Sequence, residues 1–314
     1  MHILKSNLNI DFNRYRLYAT IFSAILLIAS AISIGMNGLV LGLDFTGGTL
    51  IEVRFEEDAN RDQIQAQLEK AGFEKTVVQY FGTSKDITIR LAPQAGKKSS
   101  EIGDAVLKAI RDGSATNVVM RRIEFVGPAV GDELAEQGGL AMLVALLFIM
   151  MYVSVRFEWK FAVGSVAALA HDVMITMGLF SIIQMEFNLT VLAAILAVIG
   201  YSLNDTIVVF DRIRENFLKL RKSDSRKIVN TSLNQTLSRT LMTSITTLLV
   251  LLALFFLGGE LIHGFATALI AGVFVGTYSS IYVASNVALA LGITKEDLMP
   301  IEVEKEGEDQ DALM

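Results

Sequence analysis

The residues of this sequence that are most able to take part in chemistry are the ionisable side chains inside long apolar segments. Asp205 lies in the stretch GYSLNDT, and Asp172 follows His171 in the middle of another apolar run. Arg239 stands at the start of a third run. Each such charge costs about 2.5–3.5 kcal/mol to insert into a bilayer, so an intramembrane charge indicates an ion or proton pathway by default. These residues are therefore the first candidates for a functional site.

Asp205 and Arg239 together suit a proton switch. Asp205 lies roughly 8 Å inside one end of its apolar segment, at 1.5 Å per residue. An apolar environment favours the protonated carboxylic acid, whereas a neighbouring guanidinium favours the carboxylate. Movement of Arg239 away from Asp205 would therefore favour proton uptake. The alternatives are that Arg239 only extends to the lipid headgroups and that Asp205 only joins helices by hydrogen bonds.

The segment that follows Arg239 carries a polar stripe. Gln235, Arg239, Thr243 and Thr247 recur every four residues and share one helical face. This face is expected to line a hydrated crevice or to contact Asp205. Thr243 is thus a candidate member of a proton relay.

Asp172 has two interpretations that the sequence leaves open. It lies on a stripe of small residues with Gly164, Ala168 and Thr176, so its side chain is expected to face another helix. Helix packing and proton transfer are equally compatible with this position. For His171, a helix contact is favoured over a role as a relay.

The composition excludes a simple soluble enzyme. Of the 314 residues, 52% are hydrophobic and only 19% are charged, against about 25% charged residues in an average soluble domain. The mild net charge of −6 gives no indication of nucleic-acid binding, and cysteine is absent. The three histidines are too far apart in sequence to predict a metal site. We expect neither a metal nor a cofactor.

Six apolar segments are long enough to cross a bilayer core of about 30 Å as helices. They lie at about Leu17–Met36, Gly139–Val155, Phe161–Ile183, Asn188–Phe210, Thr240–Leu257 and Phe265–Leu289. Lysine and arginine concentrate in the connections on one side, which predicts that both termini are cytoplasmic. The predicted organisation is a cytoplasmic N-terminus (1–16), a first span (17–36), an extracytoplasmic domain (37–137), five further spans (138–291) that include a basic cytoplasmic loop (211–238), and an acidic cytoplasmic tail (292–314).

The block between the first two spans has the alternating strand and helix patterns of a soluble domain. Its patterns predict the order strand, helix, strand, strand, helix, strand, which is typical of the ferredoxin-like fold. The predicted fold class is therefore an α-helical polytopic membrane protein with six transmembrane helices and one α+β ferredoxin-like extracytoplasmic domain. This fold hosts many functions, so it indicates none by itself.

Glycine-rich stretches flank this block, and small residues line the last span. The flanking sequences GLDFTGGT and VGPAVG are interpreted as hinges, because glycine adopts backbone angles that other residues avoid. The residues assigned to these hinges are Asp44, Gly47, Gly48, Gly127 and Pro128. In the last span, small residues recur every four positions and predict a close helix contact. Gly272, Gly276 and Ser280 are its central members.

Together these motifs resemble the SecF family of protein translocase subunits. The matching stretches are GLDFTGGT (42–49), VGPAVGDEL (126–134), HDV (171–173), GYSLNDTIVVFDRIREN (200–216), QTLSRTLMTSITTLL (235–249) and GTYSSIYVAS (276–285). In this family, the aspartate of the GYSxNDT motif and the arginine of the TLxRT motif are implicated in proton transport. They correspond here to Asp205 and Arg239.

The resemblance implies partners and a function. It implies membership of the resistance-nodulation-division superfamily and an obligate complex with SecD, whose own carboxylate is expected to complete the proton path. The complex would associate with the SecYEG channel in the bacterial cytoplasmic membrane, with YajC and YidC as further candidate partners. It would use the proton-motive force to promote export of unfolded preproteins.

Two other functions stay open from the residues alone. A proton-coupled exporter half of the same superfamily would carry a larger soluble loop in each half. A passive scaffold that stabilises the channel would use Asp205 and Arg239 as a structural pair. An enzyme is not expected, because the sequence contains no nucleophile–base, metal or nucleotide pattern.

Overall fold

A computed structural model describes residues 10–73, 76–93, 99–113, 117–220, 223–294 and 297. Most of the predicted acidic tail at 292–314 lies outside the described residues, as do residues 1–9 of the predicted N-terminal segment.

Long helices and one small mixed domain make up the described chain. In chain order, the elements are α1 (Phe12–Asn37), β1 (Val40–Leu41), α2 (Leu43–Thr46), β2 (Gly48–Phe55), α3 (Arg61–Lys70), β3 (Val77–Phe81), β4 (Thr83–Leu91), α4 (Ser99–Gly113), β5 (Val118–Val126), α5 (Pro128–Arg156), α6 (Trp159–Ile183), β6 (Glu186–Phe187), α7 (Leu189–Lys219), α8 (Ser225–Leu257), α9 (Glu260–Ser279), a π-helical turn (Ser280–Ala284) and α10 (Ser285–Ala290). Among the described residues, six helices are long and apolar enough to cross a membrane, the sixth being continuous from α9 to α10. This confirms the predicted polytopic helical class.

The helices extend beyond the apolar runs. α7 continues to Lys219 and α8 begins at Ser225, so most of the stretch expected as a loop at 211–238 is helical. The side-chain amide of Asn216 donates to Ser232 Oγ at 2.8 Å and to Gln235 Oε1 at 2.9 Å, which holds the two extensions together. Hydropathy marks only the part of a helix inside the bilayer, so the polar extensions of α7 and α8 could not be predicted from it.

The soluble domain is a four-stranded antiparallel sheet with two helices on one face. The strand order across the sheet is β3-β4-β2-β5. Ile51 and Ile89 from the strands and Leu68 and Val106 from α3 and α4 are fully buried in its core. The opposite face carries polar residues such as Glu52, and these line a cleft of about 260 Å³ against the membrane helices.

A second, very short sheet joins the soluble domain to the membrane helices. Strand β1 pairs in parallel with β6, with Val40 opposite Glu186 and Leu41 opposite Phe187. This pairing could not be predicted from the sequence, because two-residue strands show no periodicity. It places the start of the soluble domain directly beside the start of α7.

Candidate functional site

Asp205 is a buried carboxylate with an unused oxygen. It lies in α7, and only 3% of its surface is exposed. Its Oδ2 atom is buried without a hydrogen-bond partner among the described residues. A carboxylate in this state is unusual, because buried charged oxygens normally accept several hydrogen bonds.

Arg239, through its charge, and Thr243, through its hydroxyl, are the side chains that act on the Asp205 carboxylate. Arg239 is exposed on α8, and none of its nitrogens forms an ion pair with Asp205 within 4.0 Å. The Thr243 hydroxyl is shared between the carbonyl oxygens of Arg239, at 3.2 Å, and Thr240, at 2.9 Å. The structure therefore brings the three predicted residues together, with the cation close enough to act on the carboxylate but not in direct contact with it.

Asp172 has a saturated set of partners. Its Oδ2 atom accepts hydrogen bonds from Ser202 at 2.6 Å and Ser279 at 2.7 Å, and its Oδ1 atom lies 2.9 Å from His171 Nδ1. Only 1% of Asp172 is exposed. Because these partners come from α6, α7 and α9, the carboxylate fastens three helices at one point.

His171 combines a helix contact with an unused atom. Its ring stacks on Tyr278, with centroids 6.2 Å apart, and the Tyr278 hydroxyl donates to the carbonyl oxygen of Ala19 at 2.7 Å. The Nε2 atom of His171 is buried without a hydrogen-bond partner among the described side chains. The ring thus links α6 to α9 and α1, and no described contact connects it to Asp205.

The small residues of the last span allow α9 to approach α7. A Cβ atom at Gly276 would lie 3.0 Å from Ser202 Cβ and 3.5 Å from Asp172 Oδ2. A Cβ atom at Gly272 would overlap the side chain of Val198. These glycines therefore permit the approach that brings Ser279 within hydrogen-bonding distance of Asp172.

Sequence reasoning missed the two serines and the π-helical turn. Ser279 directly precedes that turn, whose first residue, Ser280, donates to the carbonyl oxygen of Thr277 at 3.0 Å. Turns of this kind inside α-helices often occur at functional sites. The available signal was the presence of Ser202 and Ser279 inside apolar segments, where hydroxyls need partners.

The two glycine-rich motifs pack against each other. Gly47 and Gly48 have positive φ angles of 65° and 124°. A Cβ atom at Gly47 would lie 2.9 Å from Pro128 Cα, and one at Gly131 would lie 2.9 Å from the Gly47 nitrogen. Gly127, in contrast, has an ordinary φ of −66°. The predicted hinge residues thus form a closely packed junction, with unusual backbone angles on only one side of it.

Asp44 and Glu186 tie this junction to α7. The backbone N–H of Leu189, the first residue of α7, donates to Asp44 Oδ2 at 2.8 Å. Glu186 forms an ion pair with Arg90 of the soluble domain, whose Nη1 also donates to the carbonyl oxygen of Leu41 at 2.9 Å. Burial raises the pKa of the Glu186 carboxyl group against the lowering effect of Arg90. The soluble domain is therefore attached to the helix that carries Asp205.

The sequence is similar to known proteins of one family. A family model described as "Protein export membrane protein SecD/SecF, C-terminal" matches residues 106–294, and one described as "SecD/SecF GG Motif" matches residues 32–59. Protein translocase subunit SecF from Vibrio alginolyticus is 56% identical over 311 residues, covering 99% of each chain. Its counterpart from Escherichia coli O157:H7 is 49% identical over 305 residues, covering 97% of this chain and 94% of its own length.

Two solved structures agree in fold. The crystal structure of SecDF, a translocon-associated membrane protein from Thermus thermophilus, matches with a TM-score of 0.83 and 39% identity over 92% of this chain. A structure of SecDF in a super-membrane-facing form matches with a TM-score of 0.69 and 39% identity over 93% of this chain. This chain spans only 39% of the length of each SecDF chain. From these matches, the chain belongs to the SecF family of protein translocase subunits.

Proposed function

We propose that the chain couples proton movement to protein export as one half of a complex with a SecD-type partner. The observation that carries this proposal is the buried, unpartnered Oδ2 of Asp205 beside the exposed Arg239. An oxygen in this state can take up a proton more readily than one held by hydrogen bonds, because no bond to Oδ2 has to break. In this proposal Asp205 carries the proton and Arg239 changes its affinity for it.

The partner covers the face of α8 that carries Arg239. Gln235 and Arg239 are both exposed there, one helical turn apart. An exposed guanidinium inside a membrane needs an opposing charge, and a carboxylate from a second half would supply one. The SecDF relatives support this arrangement, since this chain accounts for 39% of the length of each.

Proton uptake is transmitted to the soluble domain through α7. In this proposal, loss of the charge on Asp205 removes its attraction for Arg239 and changes how α7 and α8 pack. Because Asp44 caps the first residue of α7, displacement of this helix would move the junction formed by Gly47, Gly48, Gly127 and Pro128. The junction then acts as a connecting element, and the soluble domain as a lever on the exported chain.

The remaining assignments follow the same reasoning. The sheet order β3-β4-β2-β5, with both helices on one face, supports a ferredoxin-like domain on the extracytoplasmic side. The basic connections of the sequence support cytoplasmic termini in the bacterial cytoplasmic membrane. SecYEG is the proposed channel, YajC and YidC are proposed accessory partners, and unfolded preproteins are the proposed substrate.

Export of a slow reporter preprotein from membrane vesicles tests the proposal. With Asp205→Asn, the proton gradient should no longer stimulate export, while the SecD-type partner still co-purifies. Asp211→Asn is the matched control, because Asp211 lies on the same helix in an exposed ion pair with Arg156 at 3.0 Å. Normal gradient-driven export by Asp205→Asn would refute the proton-carrier role. Loss of the partner together with export would instead support the scaffold function.

A further inference from the structure

A groove between α1, α6 and α10 contains none of the three residues of the proposed proton path, Asp205, Arg239 and Thr243. It has a volume of about 540 Å³ and is lined mainly by apolar side chains of these helices. Along α1 it runs from Arg16 to Leu27. At 1.5 Å per residue this is about 16 Å, close to half of a bilayer core of about 30 Å. The groove is therefore as deep as one leaflet.

The end of the groove that contains Arg16 is cationic. Arg16 and Thr20 are shared with a neighbouring cavity of about 490 Å³, which Asn13 and Arg226 also line. Neither guanidinium forms an ion pair within the described part of the chain. Two unpaired arginines, one lining the groove and the other lining the adjoining cavity, attract an anion, and a phosphate group suits a guanidinium in particular.

A buried polar atom lies between the cationic end and the apolar depth. The Nδ2 atom of Asn286, which lines the groove, is buried without a hydrogen-bond partner in the described structure. Asn286 lies four residues before the end of α10 at Ala290, which is about 6 Å along the helix axis. A lipid ester carbonyl about one helical turn below the phosphate would accept a hydrogen bond from Nδ2 once the Asn286 side chain rotated towards the groove.

We propose that this groove binds one anionic phospholipid. Its phosphate lies between Arg16 and Arg226, an ester carbonyl accepts from Asn286, and one acyl chain fills the apolar groove as far as His171. The order of cation, hydrogen-bond donor and apolar surface along the groove matches the order of chemical groups in such a lipid. Because His171 contacts Asp172, the acyl chain ends against the cluster that fastens three helices.

Lipid retention measured by native mass spectrometry tests this assignment. The full chain, co-purified with its partner, is exchanged into nanodiscs of equal parts phosphatidylglycerol and phosphatidylcholine and then released. We expect about one retained phosphatidylglycerol per chain. The double variant Arg16→Gln/Arg226→Gln should lower that retention by tenfold or more, since each arginine near a membrane surface is worth about fivefold in binding an anionic lipid.

Matched variants separate the headgroup contacts from the groove. Ala24→Phe fills the groove and should abolish retention of both lipids, whereas Ile25→Phe, on the exposed side of α1, should not. Arg14→Gln, two residues from Arg16 and outside the groove, should bind as the unmodified protein does. An excess of inorganic phosphate should leave the retained lipid in place.

Two results would overturn the proposal. One is equal retention of phosphatidylglycerol and phosphatidylcholine by the unmodified protein, which would mean that the arginines do not select the headgroup. The other is undiminished retention by Ala24→Phe, which would place the lipid elsewhere. These outcomes are independent of export activity, so the lipid site stands or fails separately from the proton path.

Discussion

Asp172 and Asp205 are both almost fully buried within the membrane helices, yet they are bonded in opposite ways. Asp172 uses both oxygens on partners from α6, α7 and α9, whereas Asp205 leaves one oxygen without any. Burial alone therefore does not identify a carboxylate that changes protonation. In the proposed mechanism, the hydrogen bonds of each carboxylate make the difference: those of Asp172 stabilise one packing of the helices, whereas the unpartnered oxygen of Asp205 is left to bind a proton.

The largest effect is expected from removing the saturated carboxylate. Asp172→Leu leaves Ser202, Ser279 and His171 without their shared partner, so the free energy of unfolding should fall by about 3–5 kcal/mol. Asp205→Leu should lower it by less than about 1 kcal/mol, because the substitution removes an uncompensated buried group. Unfolding of both purified variants in the same detergent measures the difference. Equal losses would show that the two carboxylates are structurally equivalent.

Separating α9 from α7 should reproduce part of this loss. A valine at position 276 places its side chain against Ser202 and Asp172, so Gly276→Val should cost about 1–3 kcal/mol of stability. Gly200→Val is the control, because a Cβ atom at Gly200 meets nothing within 4 Å. Thermal unfolding in detergent compares the two variants. If both were equally stable, close approach of the helices would not hold the Asp172 cluster together.

Substitution of Arg239 tests the role of Asp205. Arg239→Gln should slow gradient-driven export about tenfold, equivalent to about 1.4 kcal/mol, because the cation that tunes Asp205 is gone. Arg239→Lys keeps the charge and should restore part of the rate. Initial rates of reporter export in vesicles provide the measurement. Arg212→Gln is the control, since Arg212 pairs with Glu215 at 2.6 Å; an equal loss there would show a general effect of basic residues.

A third carboxylate, Asp86, shows what an ordinary ion pair contributes. Hydrogen bonds from Arg54 and Thr83 lower the pKa of Asp86 to about 2 from its usual 3.8, against the effect of burial. The pKa is lower in the folded state, so this stabilisation is complete above about pH 4 and is lost as the pH falls towards 2. Asp86→Asn should flatten the pH dependence of unfolding in that window. The expected effect is the smallest of the four, because Arg54 is 44% exposed.

The Asp86 test uses the full chain, with unfolding followed as a function of pH. Asp104→Asn is the control, since Asp104 is exposed on α4. A pH dependence unchanged by Asp86→Asn would mean that other carboxylates account for acid unfolding.

The helices and the order of strands in the soluble domain could be predicted, because both depend on local patterns of apolar residues. The Asp172 cluster could not. Its partners Ser202 and Ser279 are 30 and 107 residues away in sequence, and only the packed helices bring them together. The pairing of β1 with β6 was unpredictable for the same reason.

The candidate proton site could be predicted in part. Asp205 and Arg239 could be selected because each charge interrupts an apolar segment. Thr243 followed from its spacing of four residues after Arg239. That Asp205 keeps a free oxygen while Asp172 does not could only come from the packed helices, since the two segments look alike in sequence.

Helix α7 holds Asp205 near its middle and meets Asp44 at its first residue, Leu189. The distance between these points is 16 residues, or about 24 Å of continuous helix. A rigid helix of this length amplifies a rotation. If α7 tilts by a few degrees about Asp205, its first residue moves by more than an ångström. In the proposed mechanism, the displacement of the soluble domain therefore depends on the length of α7, and shortening α7 by one turn between Leu189 and Asp205 should reduce that displacement without changing an ionisable group.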